Sequence, residues 1–208
     1  MYISRLVNVF EPDLDLLPEE LKSALNETDI AAILNKADSF TALAKKAEFP
    51  WLGKLLQKCA NSQSWHLEFT GDQGNPLVPY FRFFCGGMPA VSLPRTYPLR
   101  PDLPVALQHV YSLIGGFREN DFGYAGGVYQ AKNISPIAES KVWFSEENKY
   151  PPDQAIAFME TFSGDQLCYT PDGRPVWYRH ETGQLELKKN LEKEMGAYFE
   201  AILRGSRI

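Results

Sequence analysis

Residues 164–205, GDQLCYTPDGRPVWYRHETGQLELKKNLEKEMGAYFEAILRG, constrain the fold more than any other stretch. Three short strand-like runs are separated by two turn signals and followed by one amphipathic helix. Residues 166–170 form the first run, and Pro171-Asp172-Gly173 is a tight turn. Proline sets φ at the first corner, and glycine supplies the left-handed one. Residues 176–180 form the next run, and Glu181-Thr182-Gly183 turns the chain into residues 185–187. A helix opens near Asn190, a good N-cap, with Glu192 and Glu194 in its first turn, where the positive dipole end favours acids. Leu191, Met195, Tyr198, Phe199 and Ile202 line one face, and Arg204-Gly205 close it. Taken residue by residue, this segment describes an α+β scaffold and carries no catalytic constellation.

The chain before it is organised in blocks. Residues 1–15 read as an extended lead-in, and a helical region follows over residues 17–60. Pro18 suits a first helical turn and Glu19 and Glu20 favour its dipole. Thr28 and Ser39 are candidate N-caps for further short helices, with Ile30, Ile33 and Leu34, then Leu43, expected on their buried sides. Trp51, Leu52, Leu55, Leu56 and Cys59 have the 3.6-residue spacing of a buried stripe. At Ser64 the period changes to two. Trp65, Leu67 and Phe69 alternate with His66, Glu68 and Thr70, which predicts a half-buried strand with His66 on the exposed face. GDQGNP then loops into a second strand, LVPYFRFFC, where Pro79 marks an edge or a strand start. Residues 86–104 are rich in proline and glycine and read as a linker or long surface loop. Asp102, Leu103 and Pro104 open a helix with Leu107, Val110, Tyr111 and Ile114 on its face, and Gly115-Gly116 stop it with a left-handed cap. Short strands are expected within residues 122–137 and at 141–144, and a weak helix or turn at 152–158.

Charge and residue counts limit the chemistry. The net charge is −5, the wrong sign for non-specific attraction to nucleic acid or to anionic lipid. No apolar run approaches the ~20 residues of a membrane span, and the N-terminus has no secretory signal of the usual form. A cytoplasmic location is expected, with Cys59, Cys85 and Cys168 as reduced thiols, since three scattered cysteines make no disulfide framework. Nucleotide, hydrolase-elbow and zinc-protease signatures are missing. Of the three histidines, His66, His109 and His180, none has a second His or Cys at ligand spacing, so no metal and no cofactor is expected. Cys168 with His180 is a conceivable nucleophile–base pair, but a small thiol between Leu167 and Tyr169 reads as a core residue. Glu119 and Asp121 around a loop, the pair Glu146 and Glu147, and Asp165 and Asp172 at turns are explained by turn chemistry and an ordinary polar surface. No catalytic residue is assigned.

Four patterns together resemble the SUKH superfamily, which includes the yeast Smi/Knr cell-wall regulators and many bacterial immunity proteins. A helix opens with Leu-Pro and ends in Gly-Gly, LPVALQHVYSLIGGF. A loop with a strand follows, GYAGGVYQAKNISPI. Strands then flank an Asp-Gly turn, GDQLCYTPDGRPVWYRH, and the final helix ends AYFEAIL. The resemblance covers residues 103–205, and the longer N-terminal lead-in departs from the family pattern. It implies one α+β domain over residues 1–208, with a central, mostly antiparallel sheet flanked by helices and an N-terminal helical part at 17–60. It also implies a non-enzymatic role: an immunity protein that neutralises a cognate toxin, nucleases among them, by direct binding. The acidic charge is compatible with a basic toxin. A regulatory or scaffold module of the same fold, and a small hydrolase with an unrecognised site, are the alternatives. Partner, binding face and oligomeric state stay open at this level.

Overall fold

A computed structural model describes residues 5–10, 13–71, 77–83, 89–92, 101–121, 124–129, 133–137 and 143–204. The expected α+β class is what it shows. Helices α1 (Glu19–Lys22), α2 (Glu27–Leu34), α3 (Lys36–Lys46) and α4 (Pro50–Asn61) lie in the N-terminal region, and α5 (Val105–Leu113) and α6 (Leu191–Leu203) follow later. The strands are β1 (Arg5–Phe10), β2 (Trp65–Gly71), β3 (Val78–Phe83), β4 (Pro89–Ser92), β5 (Gly116–Asp121), β6 (Tyr124–Val128), β7 (Ser135–Pro136), β8 (Ile156–Glu160), β9 (Gln166–Tyr169), β10 (Pro175–Arg179) and β11 (Gln184–Leu187). They join in one sheet ordered β1-β2-β3-β4-β5-β6-β8-β9-β10-β11, with β7 beside β8 and neighbours antiparallel throughout.

The ladder register sorts the sheet into two kinds of face. Leu67, Phe81, Phe117, Val128, Met159, Leu167 and Trp177 stand on one row, Phe81 and Phe117 being joined through Val91. Strand residues alternate between faces, so this row and its second neighbours present one apolar surface. The helices bury their stripes in the same core: Phe40 of α3, Leu52, Leu55 and Leu56 of α4, Leu107 and Val110 of α5, and Met195 and Phe199 of α6. Residues 17–60 therefore share a core with the strands. The opposite face carries His66, Arg82, Glu160, Gln166 and Tyr178 on the adjacent row, and a smaller apolar cluster of Ile137, Ala155, Ala157, Cys168, Val176 and Tyr178.

The closing segment matches its sequence closely. Asn190 accepts a hydrogen bond from the Lys193 backbone N–H, and Leu191, Met195, Tyr198, Phe199 and Ile202 are the buried residues of α6. Gly173 and Gly183 take φ values of +74° and +65° at the two turns.

Elsewhere the structure refines some expectations and corrects others. The cap of α2 is Asn26 and not Thr28: the Asp29 N–H donates to the Asn26 side chain, and the Asn26 N–H donates to the Asp29 carboxylate. That reciprocal box satisfies two orphan donors at once. Ser39 lies inside α3, which follows Asn35. The lead-in contains β1, paired with β2. Pro79 is in an interior strand, near its start, and β4 pairs only Phe81 and Arg82, so Pro79 owes that side no N–H. Residues 86–104 contain β4, a bridge between β3 and β5; residues 86–88 and 93–100 of that loop reading lie outside the described residues. α5 ends without a left-handed cap: Ile114 is extended (φ −137°, ψ 140°), and the chain runs directly into β5. Residues 152–158 hold one 3-10 turn and then β8, which hides its period because Ala157, Phe158 and Met159 are all buried. Trp143 and Phe144 are irregular; 138–142 lie outside the described residues.

His66 is also corrected. It is buried, as is Glu68, so β2 is covered on both faces. The Arg82 guanidinium lies 2.8 Å from Glu68 across the ladder, which makes that burial tolerable. Burial first, and then the Arg82 charge, hold the His66 imidazole below its ordinary pKa. It is a neutral core histidine near pH 7.

Candidate functional site

The ends of β8, β9 and β10 bring together two of the polar side chains singled out from the sequence, Asp165 and His180, with Arg179 between them. The turn from β8 to β9 passes through Thr161, Ser163 and Gly164. Asp165 leaves it with its N–H donating to Thr161 Oγ1. One Asp165 oxygen accepts from Arg179 at 2.6 Å. The other accepts the His180 backbone N–H at 3.1 Å and faces His180 Nδ1 at 3.1 Å. Arg179 also donates to Glu186 at 2.8 Å, and Glu186 meets Lys188 at 3.2 Å. Asp165 is half-buried here rather than solvated at a free turn. Burial pushes its pKa up, but the bonds from Arg179 and His180 outweigh that, and its pKa lies below the ordinary value. Glu186 is lowered too, chiefly by Arg179.

A second polar knot lies on the same strands. Tyr129 donates to Glu160 at 3.0 Å, and Gln166 donates to Tyr129 at 3.2 Å. Burial raises both the Tyr129 and the Glu160 pKa. Cys168 does not join His180. It sits fully buried in the small second core, and burial pushes its thiol pKa up. An activated thiolate needs the opposite shift. Cys59 is a free, buried thiol as well, and Cys85 lies outside the described residues.

The other candidates are spread over the molecule. Asp172 is clamped by Arg174 and Thr170 at the β9–β10 turn, and its pKa falls to about 2, Arg174 being the main cause. His109 on α5 accepts the Glu48 backbone N–H through Nε2 at 3.0 Å and packs edge-on to Phe49. It staples α5 to the start of α4. Glu119 and Asp121 belong to β5 rather than a loop. Glu146 and Glu147 are exposed. Among the described residues no three His, Cys, Asp or Glu side chains form a metal-holding group, and no helix is long and apolar enough to cross a membrane.

At residues 13–38 the expected burial of Ile30, Ile33 and Leu34 is corrected for two of the three, because α2 turns only its Ala32–Ile33 side to the core. Helix α2 buries Ala32 and Ile33 on its inner side but leaves Ile30 and Leu34 outside, with Leu34 66% exposed. Leu16, just before α1, is 81% exposed. Six carboxylates of the same segment, Asp13, Asp15, Glu19, Glu20, Glu27 and Asp38, are exposed. Lys22 pairs with Glu19, and Lys36 donates to the Cys59 and Ala60 carbonyls at the end of α4. With Asp29, the segment holds seven carboxylates against two lysines, a balance of −5 that equals the whole chain's; the remaining residues balance at nineteen of each sign. Two signals were present in the sequence: the unbroken apolar run from Ile30 to Leu34 in a helix this short, and charge counted by segment rather than in total.

Compared with known proteins, the chain matches no protein-family model, no curated protein and no solved structure.

Proposed function

We propose that the chain is a SUKH-type binding domain that neutralises a cognate basic toxin in the cytoplasm by direct, non-covalent association. The observation that carries this reading is the employment of its reactive side chains. Asp165, Arg179 and His180 tie the β8–β9 turn to the end of β10, Asp172 closes the next turn with Arg174, and Cys168 packs a core. Each does structural work, and the excess acidic charge is presented outside. A basic protein is attracted to such a surface, whereas nucleic acid and anionic lipid are repelled.

The test is co-expression with the product of the neighbouring gene. A stoichiometric complex that survives purification, and loss of that product's toxicity, are expected. A neighbour that neither binds nor harms cells overturns the reading. A second reading, a small hydrolase, has one observation in its favour: His180 Nδ1 lies 3.1 Å from Asp165 with the imidazole 40% exposed. His180→Ala separates the two. Protection retained in that variant supports binding; protection lost together with a measurable hydrolytic activity supports the enzyme.

A further inference from the structure

We infer that the outer face of α2, with the acidic segment leading into it, is where the partner docks, and that the partner presents a cationic segment with an apolar stripe. The inference rests on the binding role proposed above and assigns it a place and a chemistry.

The first argument is the helix itself. Its five consecutive apolar residues make α2 apolar on both sides. Apolar surface beyond what the fold covers marks a place where a partner gains by covering it. The fold covers one side, through Ala32 and Ile33. Ile30 and Leu34 are one turn apart on the other, a spacing that receives apolar side chains at i and i+3 or i+4 of an incoming helix.

The second argument is charge. The chain's whole excess of −5 lies in residues 13–38, where seven carboxylates stand against two lysines, Lys22 beside Glu19 and Lys36 held by the Cys59 and Ala60 carbonyls. A cationic stripe beside an apolar one complements both features, and long-range attraction speeds the encounter. A second copy of this chain fits poorly. A two-fold contact places the same patch against itself, setting the carboxylates of one copy against those of the other.

The third argument is rigidity. α2 is fixed at its start by the Asn26–Asp29 box and along its inner side by the core, so little freedom is lost on docking. The β11 side of the sheet is a poorer platform. Trp143 is exposed there, but the outward Leu185 N–H is already taken by Asn148 at 2.7 Å, and the nearby charges are mixed, Glu146 and Glu181 against Lys188 and Lys189.

The test uses the full chain, a synthetic amphipathic helix with leucines on one face and lysines on the other, and a counterpart with glutamates for lysines. Amide and methyl resonances are followed by NMR. The lysine peptide is expected to shift the signals of Leu16, Ile30 and Leu34 saturably, with affinity falling as salt is added, and the glutamate peptide to shift none. Leu16→Ser/Leu34→Ser and Glu27→Lys are each expected to weaken binding about tenfold or more, with the unfolding temperature lowered by no more than a few degrees, the share of Glu27 at the α2 dipole included. Shifts centred on Trp143, equal binding of both peptides, no saturable binding, or concentration-dependent dimerisation through the same methyls overturns the surface. The neighbouring gene's product supplies a second arm. If it binds these variants as tightly as the parent chain, the surface is wrong and the neutralising role stands. If it binds neither, the role fails while the peptide data still decide the surface.

Discussion

The closing region, residues 156–204, and the opening region, residues 13–38, use apolar side chains in opposite ways. In the closing region the apolar residues of α6 and of β8, β9 and β10 face partners, with Leu187 at the end of β11 left 45% exposed. α6 buries all five residues of its stripe, β9 is buried along its whole length, and the turns carry the left-handed glycines Gly164, Gly173 and Gly183. In the opening region α2 has an apolar side left over, set among carboxylates. A self-sufficient element is scaffold, whereas one whose apolar surface exceeds what the fold covers is shaped for something outside it.

The sharpest way to break this contrast is to compare Phe199→Ala with Leu34→Ala. Phe199 stacks on Trp51 at 4.4 Å and meets Phe117 edge-on at 4.9 Å, joining α4, α6 and β5. Its loss is expected to cost about 3–5 kcal/mol in urea unfolding, against about 0.5 kcal/mol or less for Leu34→Ala. Comparable costs would show that the outer side of α2 is core after all.

The turns give the next effect. Gly183→Ala combines a left-handed backbone with a Cβ that comes 3.0 Å from Trp143 and from Ser145 N, whereas a Cβ at Gly173 meets nothing within 4 Å. Thermal unfolding should show about 2 kcal/mol lost at Gly183 and about 1 kcal/mol at Gly173. Equal losses would mean that Trp143 yields freely.

Acid sensitivity follows in size and belongs to the closing region. The folded pKa of Asp165 lies below its unfolded value, so the stability it contributes is fully present above about pH 4 and is lost as pH falls through the lower folded pKa. Asp165→Asn is expected to cost about 1 kcal/mol at pH 7 and to flatten the acid limb of stability against pH. An unchanged limb would assign it to other carboxylates. Smallest for the fold is Leu34→Ser, within about 0.5 kcal/mol, measured beside its effect on partner binding. A stability change larger than the binding change would reverse the roles given to the two regions.

Much of the closing region was legible because its determinants are local. Asn190 caps by reaching three residues ahead, Gly173 and Gly183 are required where φ is positive, and the α6 stripe needs only the 3.6-residue period. Strands β8 and β4 were not legible. β8 has no alternation to show, and β4 looked like a loop because Pro89 and its surroundings are turn-like in composition. His66 and Glu68 looked exposed because polar residues alternating with apolar ones are normally wet; only the neighbouring strand, with Arg82 opposite, reverses that. The candidate polar residues were identified by type, but their pairing was not: nothing in the spacing links Asp165 to Arg179 and His180 or excludes Cys168 from them.

The sequence alone determined the α+β class, the turn positions, the face of α6 and the acid excess, since each depends on residues within a few positions of one another or on a simple count. Tertiary structure decided the order of the strands, the burial of His66 and Glu68, the locking of Asp165 between Arg179 and His180, and which side of α2 stays outside. Those depend on what a distant part of the chain places across a ladder or over a helix, and contacts of that range leave no periodic trace in the residues that make them.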